Sequence, residues 1–154
     1  MFYNECKVFS TPTDNYVKEM FNDTIFLITK ENTLIPRWVV DAGKYKLEEG
    51  GRYRLQDPRN NLFKEKNAAQ INVVGNSKDK LYLTANLNGN SYLISYDDKE
   101  GKVESVKLPY PGHDFDFKEG NTFVPRFTSE DGRYLIGYEV QENDENPVII
   151  LAER

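Results

Sequence analysis

The residues best suited to chemistry lie between His113 and Asp116, where the only imidazole of the chain stands beside the carboxylates of Asp114 and Asp116. In an extended segment, residues two apart point to the same side, so both carboxylates would face one ligand. Such a group can bind a hard metal ion or exchange protons with a substrate. Catalysis would need further acids from elsewhere, of which Asp41 is one suggestion. The sequence favours the plainer interpretation, a polar loop between two β-sheet units.

Two arginines are further candidates, because Ile35 to Trp38 and Val124 to Phe127 share the order apolar, Pro, Arg, aromatic. A guanidinium can clamp a carboxylate or sulfate with two hydrogen bonds. It can equally pair with an acid of a neighbouring sheet unit or stack on the following aromatic ring. Repetition at matching positions favours the structural role. No catalytic or metal-binding residue is assigned, and the candidate ligand-binding residues are His113, Asp114, Asp116, Arg37 and Arg126.

Composition excludes several classes of site. With Cys6 as the single cysteine and one histidine in 154 residues, neither an internal disulfide nor a Cys₄ or Cys₂His₂ zinc site can form. No phosphate-binding loop, nucleophile elbow or dinucleotide fingerprint occurs. The acidic run from Asp97 to Gly101 lacks the spacing of an EF-hand and is interpreted as a hairpin tip. The sequence therefore predicts no cofactor.

The charge balance argues against nucleic acid as a partner. Twenty basic and 25 acidic side chains give a net charge of −5, whereas nucleic-acid-binding domains are usually strongly basic. The longest uncharged stretch, Leu81 to Tyr96, is too short and too polar to span a membrane. The first residues show no signal peptide, so the chain read by itself is cytoplasmic, although a piece of an exported precursor would look the same.

Short apolar and aromatic runs, separated by turn residues at intervals of 8–12 residues, predict an all-β protein. Asn88 and Gly89 form the strongest hairpin signal, because both residues accept positive φ. The best helix candidate is a turn or two within Asn60 to Gln70. The predicted strands are Asp23 to Thr29, Leu34 to Val40, Leu81 to Leu87, Tyr92 to Tyr96, Val103 to Leu108, Phe123 to Thr128, Tyr134 to Val140 and Val148 to Ala152.

Several of these strands are apolar on both faces. Ile25 and Leu27 point one way along their strand, while Phe26 and Ile28 point the other way. A sheet with one wet face would alternate apolar and polar residues, so these strands predict sheets that are covered on both sides. Stacked sheets or propeller blades satisfy this pattern.

Three segments resemble one another at a period near 50 residues: Asp23 to Leu27, Asp79 to Leu83 and Gly132 to Ile136. This is the size of one four-stranded propeller blade, although chance similarity among short β runs is an alternative. We therefore expect one all-β domain of antiparallel four-stranded meander blades, forming a partial propeller of about three blades. The expected blades are 1–47, 68–110 and 113–154, with a connecting loop at 48–67.

The segments Asn22 to Thr29 and Leu34 to Tyr45 resemble a blade signature of the TolB-like six-bladed β-propeller family, which includes many bacterial envelope lipoproteins. Val124 to Phe127, Asp131 to Tyr134 and Asn146 to Ile150 resemble the C-terminus of the same family. This resemblance implies a periplasmic, extracellular or other envelope location. The family has six blades and an export signal, so this chain resembles its C-terminal half.

An open arc of three blades leaves two apolar end faces, so we expect a homodimer that closes a six-bladed ring, or missing N-terminal blades that complete it. A compact β-sandwich or small barrel is the alternative. The expected function is a non-enzymatic binding or scaffold module that contacts a glycan or peptide through its blade loops. A hydrolase or lyase with a carboxylate or metal site in the channel is the competing function, and an inactive truncated product is a third. The tyrosines that could stack on a ligand are Tyr3, Tyr16, Tyr45, Tyr53 and Tyr110.

Overall fold

A computed structural model describes residues 6–11, 13–19, 22–47, 67–77, 79–108, 125–139 and 148–153. The first sheet contains, in spatial order, β1 (Cys6–Ser10), β2 (Asn15–Glu19), β3 (Thr24–Ile28) and β4 (Leu34–Val39). The second contains β5 (Gln70–Asn76), β6 (Lys80–Leu87), β7 (Asn90–Asp97) and β8 (Lys102–Leu108). The third contains β9 (Phe127–Thr128), β10 (Tyr134–Glu139) and β11 (Val148–Glu153).

All pairings are antiparallel and join strands that follow one another along the chain. The prediction of an all-β chain with antiparallel four-stranded sheets is thereby confirmed. The only helical element in the described part of the chain is one 3₁₀ turn, Gly43–Tyr45. None of the sheets that the structure describes closes on itself, and no helix there is long and apolar enough to cross a membrane.

The turns follow local backbone chemistry. Asn88 and Gly89 have φ values of 50° and 75° and form the two-residue turn between β6 and β7, as the sequence predicts. The β7–β8 turn begins at Asp97, whose carboxylate accepts hydrogen bonds from the backbone N–H groups of Lys99 (3.0 Å) and Glu100 (3.1 Å). These bonds, led by that from Glu100, lower the pKa of Asp97. The segment is a hairpin tip.

Three strands have no counterpart in the sequence prediction, namely β1, β2 and β5. The described end of the segment expected to contain a helical turn is not helical, since Gln70 begins β5 by pairing with Asn86 of β6. Residues 60–66, which carry the rest of that prediction, lie outside the described residues.

The repeated segments do not occupy equivalent strands. Among the described strands, Asp79 to Leu83 and Gly132 to Ile136 lead into β6 and β10, each the second of its sheet, whereas Asp23 to Leu27 leads into β3, the third of the first sheet. Arg37 likewise lies in the last strand of the first sheet, while Arg126 precedes the first strand of the third. The expectation that these arginines occupy matching blade positions is therefore wrong, because the similarity follows from strand-and-turn chemistry shared by different strands.

The second sheet lies between the other two. Toward the first sheet it buries Val73, Leu81 and Leu83 against residues that include Phe9 and Ile25. Toward the third sheet, another cluster contains Val74, Tyr82 and Leu135, with Ala152 packed against it. Successive residues of a strand point to opposite faces, so a strand covered on both sides must be apolar at consecutive positions.

The three sheets meet at their first strands, because β1 contacts β5 and β5 contacts β9. At this junction the Lys7 ammonium donates hydrogen bonds to the main-chain oxygens of Val73 (2.5 Å), Val74 (3.5 Å) and Arg126 (3.1 Å). Burial, followed by the nearby charge of Arg126, lowers the pKa of Lys7. Lys7 of the first sheet thus forms hydrogen bonds with the second sheet and with Arg126, which precedes the third sheet.

Candidate functional site

A groove of about 610 Å³ opens between the first and second sheets. Its second-sheet wall includes Leu83, Tyr92, Ile94 and Tyr96. The three β7 residues of this wall alternate along their strand and therefore share one face. Its first-sheet wall includes Trp38, and Tyr45 of the 3₁₀ turn lies at its edge. The lining is mostly apolar and aromatic, which is typical of ligand pockets.

Trp38 is positioned by an irregularity in the pairing of β3 with β4. Ile25 pairs with Trp38 and Phe26 pairs with Pro36, so Arg37 is the additional residue of a β-bulge. Trp38 therefore lies on the face of Ile25, which is completely buried. Its ring also packs on Tyr16, with centroids 5.1 Å apart and planes tilted by 40°.

The rim of the groove is closed by a charged contact between the two sheets. Arg37 forms a salt bridge with Asp98 of the β7–β8 turn, and the Asp98 carboxylate also accepts a hydrogen bond of 3.3 Å from Trp38 Nε1. The Arg37 guanidinium lies 4.8 Å from the Trp38 ring centroid. Arg37 thus pairs with an acid of the neighbouring sheet and stacks on the aromatic residue that follows it.

Arg126 has a different environment. Its main-chain oxygen accepts the hydrogen bond from Lys7, and its guanidinium lies 6.0 Å from the Tyr138 ring centroid on the third sheet. Within the described residues, no carboxylate forms a salt bridge with Arg126. No contact joins Arg126 to Arg37 in that part of the chain, so the structure does not bring the two arginines into one ligand clamp.

Most of the remaining candidates lie outside the described residues. His113, Asp114 and Asp116 lie outside the described residues, as do Tyr3, Tyr53 and Tyr110. Asp41 is exposed and lines the groove, and its Oδ1 accepts a 2.8 Å hydrogen bond from the backbone N–H of Gly43 at the start of the 3₁₀ turn. Among the residues that the structure describes, no three His, Cys, Asp or Glu side chains are grouped as metal ligands would be. Cys6 is a free, exposed thiol.

Sequence reasoning missed the groove and the Lys7 junction. Trp38 and Asp98 are 60 residues apart, and Lys7 and Arg126 are 119 residues apart. Neither pair has a local spacing that would identify it. The usable signal was the single tryptophan following a Pro-Arg pair, which marks an unusual strand but not the surface it faces.

The comparison with protein families provides one match. Residues 1–153 match the model described as Domain of unknown function (DUF4934). No curated protein and no solved structure matches the chain significantly. Since the family model covers nearly the whole sequence, the chain belongs to the DUF4934 family.

Proposed function

We propose that this chain is a binding and scaffold module of the β-propeller type. The observation that carries the proposal is the serial packing of three antiparallel sheets through their first strands, with apolar surface left open at both ends. Propeller blades are arranged in this way, with each sheet covered by its neighbours. The TolB-like relationship and the envelope location that it implies stay predictions.

The outer face of the first sheet is an apolar row. Val8 pairs with Val17, Val17 with Phe26, and Phe26 with Pro36, so one side chain from each strand lies on the face turned away from the second sheet. Val8 is 61% exposed. Contiguous exposed apolar surface of this kind marks an interaction site in a soluble protein.

The outer face of the third sheet has the same character. Phe127 pairs with Ile136, which pairs with Leu151, and Tyr138 lies beside them on the same face. Leu151 is 59% exposed. The middle sheet is covered by its two neighbours over β5 and β6, and its exposed apolar side chains, Val103 and Val106, lie on the edge strand β8.

A second copy of the chain is the occupant that we propose for these faces. A two-fold axis would place the first sheet of each copy against the third sheet of the other and cover all four outer faces together. The charges are complementary, because exposed Glu19 lies on the face of Val8 and Val17 while the Arg126 guanidinium lies over Tyr138. The ring would then contain six sheets.

Light scattering after size exclusion tests this assembly. We expect a mass of twice 17.9 kDa, and we expect Val8→Glu and Leu151→Glu each to shift the protein to the monomer mass. Val106→Glu is the matched control, because Val106 is 62% exposed on β8, the edge strand of the middle sheet, and should leave the dimer intact. A monomer at all concentrations overturns the proposed assembly.

The ligand site of the proposed module is the groove between the first and second sheets. Its apolar and aromatic walls suit an apolar ligand better than the glycan expected from the sequence, whose hydroxyl groups need polar partners. Trp38 is the only tryptophan of the chain and lines the groove, so its fluorescence should report on occupancy. The competing hydrolase or lyase function has no supporting observation within the described residues.

A further inference from the structure

A second, smaller cavity adjoins the groove. It has a volume of about 50 Å³ and shares wall residues Val40, Ala42, Ala69 and Ile71 with the larger groove. About 10–15 Å³ of such space holds one water molecule, so this cavity has room for a group the size of a carboxylate. Its lining contains the charged side chains of Lys18, Asp23 and Lys46, whereas the charged residues lining the groove are Arg37 and Asp41.

Lys18 is the buried charge of this cavity. On the first sheet, Lys18 pairs with Lys7 on one side and Ile25 on the other, so its side chain faces the second sheet. The residue is only 5% exposed, and its single hydrogen bond to a described residue goes to the Glu19 main-chain oxygen at 3.0 Å. An ammonium group carries three donors, so a ligand oxygen would improve its bonding.

The surrounding charges leave Lys18 without an ion-pair partner among the described residues. Asp23 lines the cavity, but the Asp23 carboxylate is held by Lys46 at 2.5 Å. The charge of Asp41, which lines the adjoining groove, also acts on Lys46, so both nearby carboxylates interact with Lys46, and no carboxylate among the described residues forms a salt bridge with Lys18. Asn22 and Gln70 add amide groups to the lining, and amides can donate to an anion.

We propose that the groove and this cavity together bind an apolar carboxylate, with its hydrocarbon part in the groove and its carboxylate at Lys18. The inference rests on the proposed use of the groove as a ligand site and adds the chemical class of the ligand. Charge complementarity selects a carboxylate, because buried charges in proteins need a partner of opposite sign. A neutral apolar ligand would occupy the groove but would leave the Lys18 ammonium without a partner of opposite charge.

Titration with octanoate and with octan-1-ol, followed by Trp38 fluorescence, tests the class of ligand. Both molecules have the same hydrocarbon chain, but only octanoate carries a negative charge. We expect both to change the fluorescence, and we expect Lys18→Met to weaken octanoate binding by about tenfold, the lower range for a hydrogen bond to a charged group. Octan-1-ol should bind the variant within about twofold of the wild type, since it does not use the ammonium.

Lys30→Met is the matched control, because Lys30 is exposed in the β3–β4 turn and its loss removes the same charge from the chain. If Lys18→Met leaves octanoate binding unchanged, or weakens both ligands equally, the carboxylate inference is wrong while the groove stands as a ligand site. If neither molecule binds the wild type, the groove itself is not the site. Should Lys18→Met not fold, NMR of the lysine Nζ resonances of the wild type tests the same inference. Octanoate must then shift a buried ammonium resonance that octan-1-ol leaves in place.

Discussion

The two faces of the middle sheet are covered in different ways. Toward the third sheet the backbones approach closely: a Cβ atom placed on Gly75 would lie 2.2 Å from the Thr128 Oγ1. Toward the first sheet, a groove of about 610 Å³ is left, and Trp38 and Tyr96 are among the residues that line it. One sheet thus makes a tight contact on one side and an open one on the other.

This difference follows from the residues at the two interfaces. Gly75 lies at the β-bulge of β5, where the register against β6 shifts between Val73 and Gly75, and its missing side chain admits Thr128. On the other side, the contact includes the large rings of Phe9, Tyr16 and Trp38, which occupy more space between two sheets than glycine and threonine do. The tight interface therefore suits structural support, and the open interface suits binding.

The largest effect is expected from filling the tight interface. Gly75→Ala puts a methyl group against the β-branched side chain of Thr128, which cannot rotate away freely. We expect a loss of about 1–3 kcal/mol in the free energy of unfolding, as for other overpacked interiors. Urea denaturation measures it, and a second substitution, Thr128→Ala, should restore part of the loss in the Gly75→Ala background.

The matched comparison is Ala85→Val, which adds carbon atoms on the groove side of the same sheet. Ala85 is 8% exposed and lines the groove, where free space is available. The loss in the free energy of unfolding caused by Ala85→Val should be clearly smaller than the loss caused by Gly75→Ala. Equal costs for the two substitutions would show that the groove side is packed as tightly as the other side.

A smaller effect, which depends on pH, is expected at the open interface. Burial lowers the pKa of Lys18, and the charge of Asp23 opposes this shift in part. Between the lowered pKa and the ordinary lysine value, the unfolded chain binds a proton that the folded chain does not, so the stability contributed by Lys18 rises with pH. Below the lowered pKa the folded protein bears the full cost of a buried ammonium.

Lys18→Met removes the pH dependence of stability that Lys18 contributes. We expect the stability of the variant relative to the wild type to be highest at pH 7 and to fall toward pH 10, measured by urea denaturation at both values. Lys7 also has a lowered pKa and pairs directly with Lys18, so the same comparison in a Lys7→Met background separates the two contributions. A constant difference between pH 7 and pH 10 would mean that Lys18 is better solvated than its 5% exposure indicates.

Much of the second sheet was predictable because its information is local. The Asn88-Gly89 turn accepts positive φ, and the strands on either side are rich in β-branched and aromatic residues. β5 was missed because its pairing with β6 contains a bulge and its sequence contains Gly75, which weakens a strand pattern. β1 and β2 are five residues each and include lysines, which are typical of surface strands.

The site was less predictable than the fold. Arg37 was identified from its sequence context, but its partner Asp98 is 61 residues away on another sheet. Lys18 looks like a surface residue in the sequence, since lysines are seldom buried. Only its register against Ile25 reveals that it faces the second sheet. The Arg37–Asp98 salt bridge and the burial of Lys18 both depend on how strands pair and pack in three dimensions, which the local sequence does not encode.

The smallest expected effect concerns the charged contact at the groove rim. Asp98→Asn removes the charge that pairs with Arg37 but keeps a side-chain oxygen for Trp38 Nε1. Because the two side chains of the salt bridge are 43% and 32% exposed, we expect a loss of about 0.2–1 kcal/mol in the free energy of unfolding, reduced further in high salt. Glu104→Gln is the control, since Glu104 pairs with Lys102 within β8 and joins no two sheets. If the salt bridge between Arg37 and Asp98 holds the two sheets together, Asp98→Asn should also change the fluorescence of Trp38. Glu104→Gln should leave that fluorescence unchanged. Equal spectra for the two variants would mean that the aromatic packing alone sets the width of the groove.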